Sequence, residues 1–307
     1  MSKNLKGNLL LILAALIWGV SFVMQDKAGE VLPAFSINGV RSLIGTAALM
    51  PLILFRAKKS GTPVFEKTKK QRKDLIWAGL LCGAALCIAT NFQQFGIALY
   101  PPEAAASGRT GFITALYVVL VPVFGIFMKK RAGFTVWIGV ALATLGMFLL
   151  CFNSGGGGIY LGDIVVFFCA FAFTAQIICI DIFADRVDGI KLSALQFFVC
   201  GVLSLILMFI FEAPAFGDFL KAAPYILYLG IMSCGVAYTL QIVGQQYSKN
   251  PTVASILMSL ESVFAALSGA VISGEILSVR EFIGCAVMFA AIVFSQLPAP
   301  KHKEIKE

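Results

Sequence analysis

Residues 7–24 read GNLLLILAALIWGVSFVM, eighteen consecutive positions without a charged side chain. At about 1.5 Å of rise per residue this run makes a helix about 27 Å long, close to the ~30 Å hydrocarbon core of a bilayer. It lacks the Ala-x-Ala-like end of a cleaved signal peptide, so it reads as a first membrane span. Nine similar runs follow, at 34–55, 75–99, 104–128, 134–152, 160–183, 192–211, 223–247, 252–273 and 279–297. Composition points the same way. Of 307 residues, 59% are hydrophobic and 13% charged, and the mean hydropathy is +0.90. A soluble domain carries about 25% charged residues, so this chain has too few to coat a soluble particle of its size. The expected fold class is an all-α integral membrane protein with ten transmembrane helices.

The net charge of +8 would suggest an acidic partner if the chain were soluble. The positions of the charges argue otherwise. With the N-terminus placed inside, nineteen Lys/Arg fall in cytoplasmic segments, eight of them between Arg56 and Lys73, and three (Lys27, Lys221, Arg280) in outside loops. Cytoplasmic loops collect positive charge, so both termini are expected in the cytoplasm of a multi-pass plasma-membrane (bacterial inner-membrane) protein. The basic loop is then a retention signal attracted to anionic membrane lipids, and no nucleic-acid partner is expected.

Asn153-Ser154-Gly155-Gly156-Gly157-Gly158 stands at the midpoint of the chain and reads as a flexible joint. Similar residues recur in the same order on either side. Gly7-Asn8 matches Gly162-Asp163, Arg41 meets Gln196, Gln93-x-x-Gly96 resembles Gln241-x-x-Gly244, and Gly139 corresponds to Gly284. The expected organisation is a five-helix repeat over 1–152, a joint at 153–158, a second repeat over 159–297 and a cytoplasmic tail at 298–307. Five is odd, so the second repeat enters the membrane from the opposite side. Inverted-topology repeats of this kind are common in secondary transporters, whose site lies near the midplane between the halves.

Charged groups inside spans are expensive and usually face a cavity or a partner. Glu261 lies near the centre of the ninth span. A carboxyl among apolar neighbours can exchange a proton near neutral pH; the alternative is a buried ion pair or an inter-helix hydrogen bond. Arg109, between Gly108 and Gly111, could clamp a substrate carboxylate or snorkel outward. Arg41 is read as a structural charge. Candidate substrate-binding residues are Trp18, Asn91, Gln94, Arg109, Tyr117, Gln176, Gln241 and Gln245, although each neutral side chain could equally be glue between helices. Gly79-x-x-x-Gly83 reads as a packing face, and Trp77 as an interface anchor.

The only histidine is His302, outside the apolar body, and the eight cysteines lie in apolar stretches without a Cys-x-x-Cys pair. Histidine triads and histidine-ligated metal sites within the spans are therefore excluded. No metal, cofactor or enzymatic activity is expected. A membrane-embedded lipid enzyme is the distant alternative, against which stand the missing histidines and the absence of paired acids in a span.

The sequence resembles the EamA-type ten-helix family of the drug/metabolite transporter superfamily. The likeness is carried by Gly7, Ala14-Ala15-x-x-Trp18-Gly19, Arg41, Gly111-Phe112-Ile113-Thr114-Ala115-Leu116-Tyr117, Val121-Pro122, the stretch Ser259–Gly269, Gly274-Glu275 and Gly284, and it covers about 5–297. The resemblance implies export or uptake of amino acids and other small metabolites. It also implies a cavity lined by spans 1–4 and 6–9, with spans 5 and 10 peripheral. Such families often have proline after the ninth-span glutamate. Ser262 stands there instead, which weakens the ground for a helix break beside Glu261. The expected function is alternating-access transport of a small-molecule substrate, plausibly an amino acid, with protons as a candidate coupling partner, by a monomer or homodimer. An uncoupled facilitator and a multidrug or cation exporter are the alternatives.

Overall fold

Each apolar run folds as a helix, the one conformation that satisfies every backbone polar group within a single segment in lipid. The computed structural model describes residues 3–61, 63–64, 66, 68–101, 106–129, 133–151, 159–248, 250–273 and 279–296. The joint at 153–158, the tail at 298–307, Gly274-Glu275 and parts of the basic loops lie outside these.

The first three spans are α1 (Lys3–Gly29), α2 (Ala34–Ser60) and α3 (Lys69–Ala98). The fourth is split into α4 (Ala106–Thr114) and α5 (Tyr117–Phe127), and the fifth is α6 (Phe134–Cys151). The sixth and seventh are α7 (Leu161–Phe183) and α8 (Gly189–Phe211). The eighth runs through α9 (Phe216–Tyr228), a π-helical segment (Leu229–Ala237) and α10 (Tyr238–Ser248). The ninth is split into α11 (Pro251–Met258) and α12 (Glu261–Ser273), and the tenth is α13 (Val279–Gln296). Among the described residues, eight spans are long and apolar enough to cross a membrane, and shorter apolar helices lie at Phe134–Leu149 and Phe282–Ser295. Large apolar side chains such as Phe209, Phe211 and Phe282 face outward, where only lipid can cover them.

Successive helices run between two ends of the bundle. At the basic end, Arg56 of α2 meets Asp188 before α8 at 3.2 Å, and the start of α1 packs on the end of α10. At the far end, Glu212 after α8 accepts from the Phe35 and Ser36 backbone N–H groups, both at 2.8 Å. That carboxylate caps α2, whose own N-cap is Pro33 and offers no side-chain acceptor.

The main packing pairs each join one half of the chain to the other: α6 with α13, α2 with α8, α1 with α10, α3 with α7, α3 with α8, and α2 with the π segment. Exchanging spans 1–5 with spans 6–10 maps this set onto itself. Glycines mark the closest crossings. A Cβ on Gly7 would meet the Gly244 carbonyl oxygen at 2.9 Å, and one on Gly162 would meet the Gly96 carbonyl oxygen at 2.8 Å. Gly79 and Gly83 face Leu195 and Val199 of α8, so that small-residue face is where α3 and α8 pack.

The interruptions correspond as well. Leu116 N–H bonds the Ile113 carbonyl and Val118 N–H bonds Ala115, while Leu260 bonds Leu257 and Ser262 bonds Ser259. The fourth and ninth spans thus tighten over two residues at equivalent points, 144 positions apart. The break before Glu261 forms although Ser262, and not proline, follows that residue.

Candidate functional site

The two breaks turn Tyr117 and Glu261 toward each other at the first position of α5 and of α12. They border a cavity of about 40 Å³ between the helices, room for a few water-sized groups. Its walls come from spans 1, 2, 3, 4, 6, 8 and 9; no described residue of α6 or α13 reaches it. Trp18, Gln25, Arg41, Gln93, Thr114, Tyr117, Phe173, Gln176, Ser233, Tyr238, Gln241 and Glu261 all line it. Many of them are related by the repeat. Trp18 corresponds to Phe173, Ser21 to Gln176, Phe22 to Ile177, Gln93 to Gln241, Thr114 to Met258 and Tyr117 to Glu261.

The polar groups form three sets. Tyr117 donates its hydroxyl to Glu261 Oε1 at 2.9 Å. Arg41 Nη1 donates to Gln25 Oε1 at 3.1 Å. Gln241 Nε2 donates to Gln176 Oε1, and Gln176 Nε2 to Gln196 Oε1, each at 3.2 Å. Arg41 and Glu261 are both buried, at 4% and 6% exposure. Among the described residues neither has an ion-pair partner. Trp18 Nε1 and Gln241 Oε1 are buried without a hydrogen-bond partner among the described residues, which costs free energy unless a ligand or water supplies one. An aromatic wall closes one side, with Tyr238 edge-on to Trp18 (4.7 Å) and to Phe197 (5.1 Å).

Of the residues singled out from sequence, Trp18, Tyr117, Gln176, Gln241 and Glu261 meet at this cavity, and Arg41 joins them although it was read as a structural charge. The remaining four lie elsewhere. Asn91 Nδ2 donates to the Cys87 carbonyl (2.8 Å) and Ser204 Oγ (3.0 Å), and its Oδ1 accepts from Asn38 (2.9 Å). Gln94 Nε2 reaches the Gln25 carbonyl at 3.3 Å, and Gln245 Nε2 the Ile177 carbonyl at 3.4 Å. Arg109 is held by Asp163 in a bidentate pair, Nε to Oδ1 at 3.0 Å and Nη2 to Oδ2 at 2.6 Å. Tyr100 donates to the same carboxylate at 2.8 Å, and the guanidinium lies 4.7 Å from the Tyr160 ring centre. This cluster ties α3, α4 and α7 together at the far end, away from the central cavity.

Sequence reasoning missed Gln25, Gln93, Ser233 and Tyr238. For Gln93 a signal was present, because its partner in the repeat is Gln241. Ser233 lies in the π-helical segment, and such irregular turns often occur at functional sites. Apolar periodicity does not reveal them.

The EamA-like transporter family model matches the chain twice, over residues 5–152 and 160–296. An uncharacterized transporter of Archaeoglobus fulgidus is 28% identical, covering 96% of this chain and 87% of that one. The uncharacterized transporter YwfM of Bacillus subtilis is 24% identical, covering 97% of each. The uncharacterized inner membrane transporter YedA of Escherichia coli is 24% identical, covering 92% and 88%. A solved crystal structure superimposes with a TM-score of 0.75 at 19% identity, covering 95% of this chain and 97% of that one, a likeness of fold. With ten apolar spans around a polar cavity and both halves matched, the chain belongs to the EamA-like transporter family of membrane transporters.

Proposed function

We propose that this transporter carries a small zwitterionic metabolite, an amino acid, across the plasma membrane by alternating access. The observation that carries the reading is the pair Arg41 and Glu261. One is a guanidinium and the other a carboxyl, they line one cavity, and each is bonded to a neutral side chain. A buried guanidinium without a carboxylate is costly. A substrate carboxylate would relieve that cost, and Arg presents the planar fork that such a group fits. A substrate ammonium meets Glu261 in the same way. The Trp18–Tyr238 face packs the side chain, and the orphaned Trp18 Nε1 and Gln241 Oε1 offer one donor and one acceptor.

The paired packing of the two halves and the pairwise correspondence of the cavity residues support two inverted repeats. In such an arrangement, exchanging the conformations of the halves converts an inward-open state into an outward-open one. The Lys/Arg asymmetry supports both termini in the cytoplasm. Glu261, which no cation neutralises among the described residues, is the candidate proton carrier.

Counterflow of labelled amino acids in proteoliposomes tests the reading. Wild-type protein should exchange a zwitterionic amino acid, and Arg41→Gln and Glu261→Gln should each lower the rate at least tenfold. Concentrative uptake driven by an imposed ΔpH, lost in Glu261→Gln, supports proton coupling. Flux that follows only the solute gradient identifies a facilitator, and exchange of organic cations but not amino acids rejects the zwitterion.

A further inference from the structure

Transport chemistry leaves unexplained the basic segment between the second and third spans and the tryptophan that follows it. Both belong to one continuous surface feature. At the basic end, α8 packs against both α2 and α3, which have little contact with each other. A groove of about 680 Å³ runs between the three helices, walled by Met50 and Ile53 of α2, Leu75 and Ile76 of α3, and Ala194 and Phe198 of α8. Its volume lies within the ~300–1,000 Å³ of small-molecule sites. Met50, Ile76 and Phe198 are exposed, so the groove opens sideways, toward lipid chains.

A second, shallower cleft lies beside it, formed by Lys69, Arg72, Lys73, Ile76 and Trp77. Arg72 and Ile76 line both. Glu66 lines the groove and is already engaged: Lys191 Nζ bonds its Oε1 at 2.7 Å and the Pro63 carbonyl at 2.7 Å. Arg72 is held by a neutral acceptor, donating Nη2 to the Glu66 backbone carbonyl at 3.2 Å. Among the described residues no carboxylate pairs with Lys69, Arg72 or Lys73. The result is an apolar trough whose mouth carries three cations that form no ion pair among the described residues, although Asp74 follows Lys73 on α3, with Trp77 at the level where an indole anchors to headgroups.

The geometry points to a binding site for an anionic phospholipid, with its phosphate on Lys69, Arg72 and Lys73 and an acyl chain in the groove between α2, α3 and α8. Charge complementarity selects the headgroup, since basic residues beside spans bind anionic lipid, and the lateral opening admits a chain that is still part of the bilayer. At the depth of the groove Thr46 Oγ1 donates to the Ala194 carbonyl at 3.3 Å, so the bound chain ends against the α2–α8 contact.

The test uses the full chain, delipidated in detergent, with dioleoyl phosphatidylglycerol, dioleoyl phosphatidylcholine and soluble glycerol phosphate as separate probes. Native mass spectrometry and thermal unfolding are the readouts, so no transport substrate is required. Phosphatidylglycerol should bind at least tenfold tighter than phosphatidylcholine and raise the unfolding midpoint. The triple variant K69A/R72A/K73A alters exposed or mouth positions and should remove that preference. Ala194→Phe, which fills the groove and leaves the charges in place, should weaken phosphatidylglycerol binding. Equal binding of the two lipids, or a preference retained in the triple variant, would overturn the site. Stabilisation by glycerol phosphate equal to that by the lipid would also overturn it, as a free-anion site. Phosphatidylglycerol binding unchanged in Ala194→Phe would reject the groove.

Discussion

Tyr117 and Glu261 are each the first helical residue after a two-residue break in their span, and the Tyr117 hydroxyl donates to Glu261 Oε1 at 2.9 Å. A donor in one half thus meets an acceptor in the other at equivalent positions of the two broken spans. Tyr117→Phe removes the donor and keeps the ring. A hydrogen bond contributes about 0.5–1.5 kcal/mol, and up to about 3 where one partner is charged, which is roughly two- to a hundredfold in an equilibrium. Counterflow by the variant should fall severalfold or more, and an unchanged rate would show that transport does not use this bond.

Arg41 tests which end of the substrate it meets. Arg41→Gln should weaken exchange of amino acids far more than exchange of the matching amino-acid amides, which lack a carboxylate. Arg41→Lys should fall between, because an ammonium cannot reproduce the bidentate fork. Competition assays with acid and amide pairs measure this. Equal losses for both would remove Arg41 from carboxylate recognition.

The Arg109–Asp163 pair at the far end is a matter of stability. Both side chains are about nine-tenths buried, at 9% and 11% exposure. Removing one partner of a buried pair costs about 3–5 kcal/mol because the other charge is left behind. Arg109→Leu and Asp163→Leu should each lower the unfolding midpoint of purified protein markedly, and the double variant should recover much of the loss. Additive losses would show that the two residues stabilise the protein separately.

Two glycines separate close packing from helix propensity. A Cβ on Gly96 would collide with Val166 Cγ2, whereas one on Gly111 would have nothing within 4 Å among the described residues. Valine is stiff at χ1 and yields poorly, so Gly96→Ala should destabilise by about 1–3 kcal/mol. Gly111→Ala should be neutral or stabilise by up to about 1 kcal/mol. Thermal unfolding of both variants in one detergent compares them directly.

The length and number of the spans were legible in the sequence because each helix in lipid must satisfy its own backbone, so the signal is local. Part of the site was legible too. Buried charges and amides are rare enough in spans to be noticed one by one, which is how Glu261, Gln176 and Gln241 were found. The direction in which each side chain points was not legible, because an almost wholly apolar span carries no contrast between lipid, neighbour and cavity. Asn91 and Gln94 were chosen for their spacing on α3, yet it is Gln93, between them in sequence, that lines the cavity. The π-helical segment around Ser233 also rotates its span in a way that regular helical spacing does not describe.

From its residues alone the chain is a ten-span membrane protein with an uneven charge distribution and a few polar groups that lipid would not tolerate, since hydrophobicity and charge act segment by segment. Which of those polar groups share a cavity depended on contacts between different spans, from Arg41 with Gln25, 16 positions apart, to Tyr117 with Glu261, 144 apart. Arg109, a candidate substrate clamp from its sequence, is held by Asp163 across the midpoint of the chain. Arg41, expected as a structural charge, bonds Gln25 and, among the described residues, no carboxylate. A buried charge takes its role from its partner, and partners are assigned by packing.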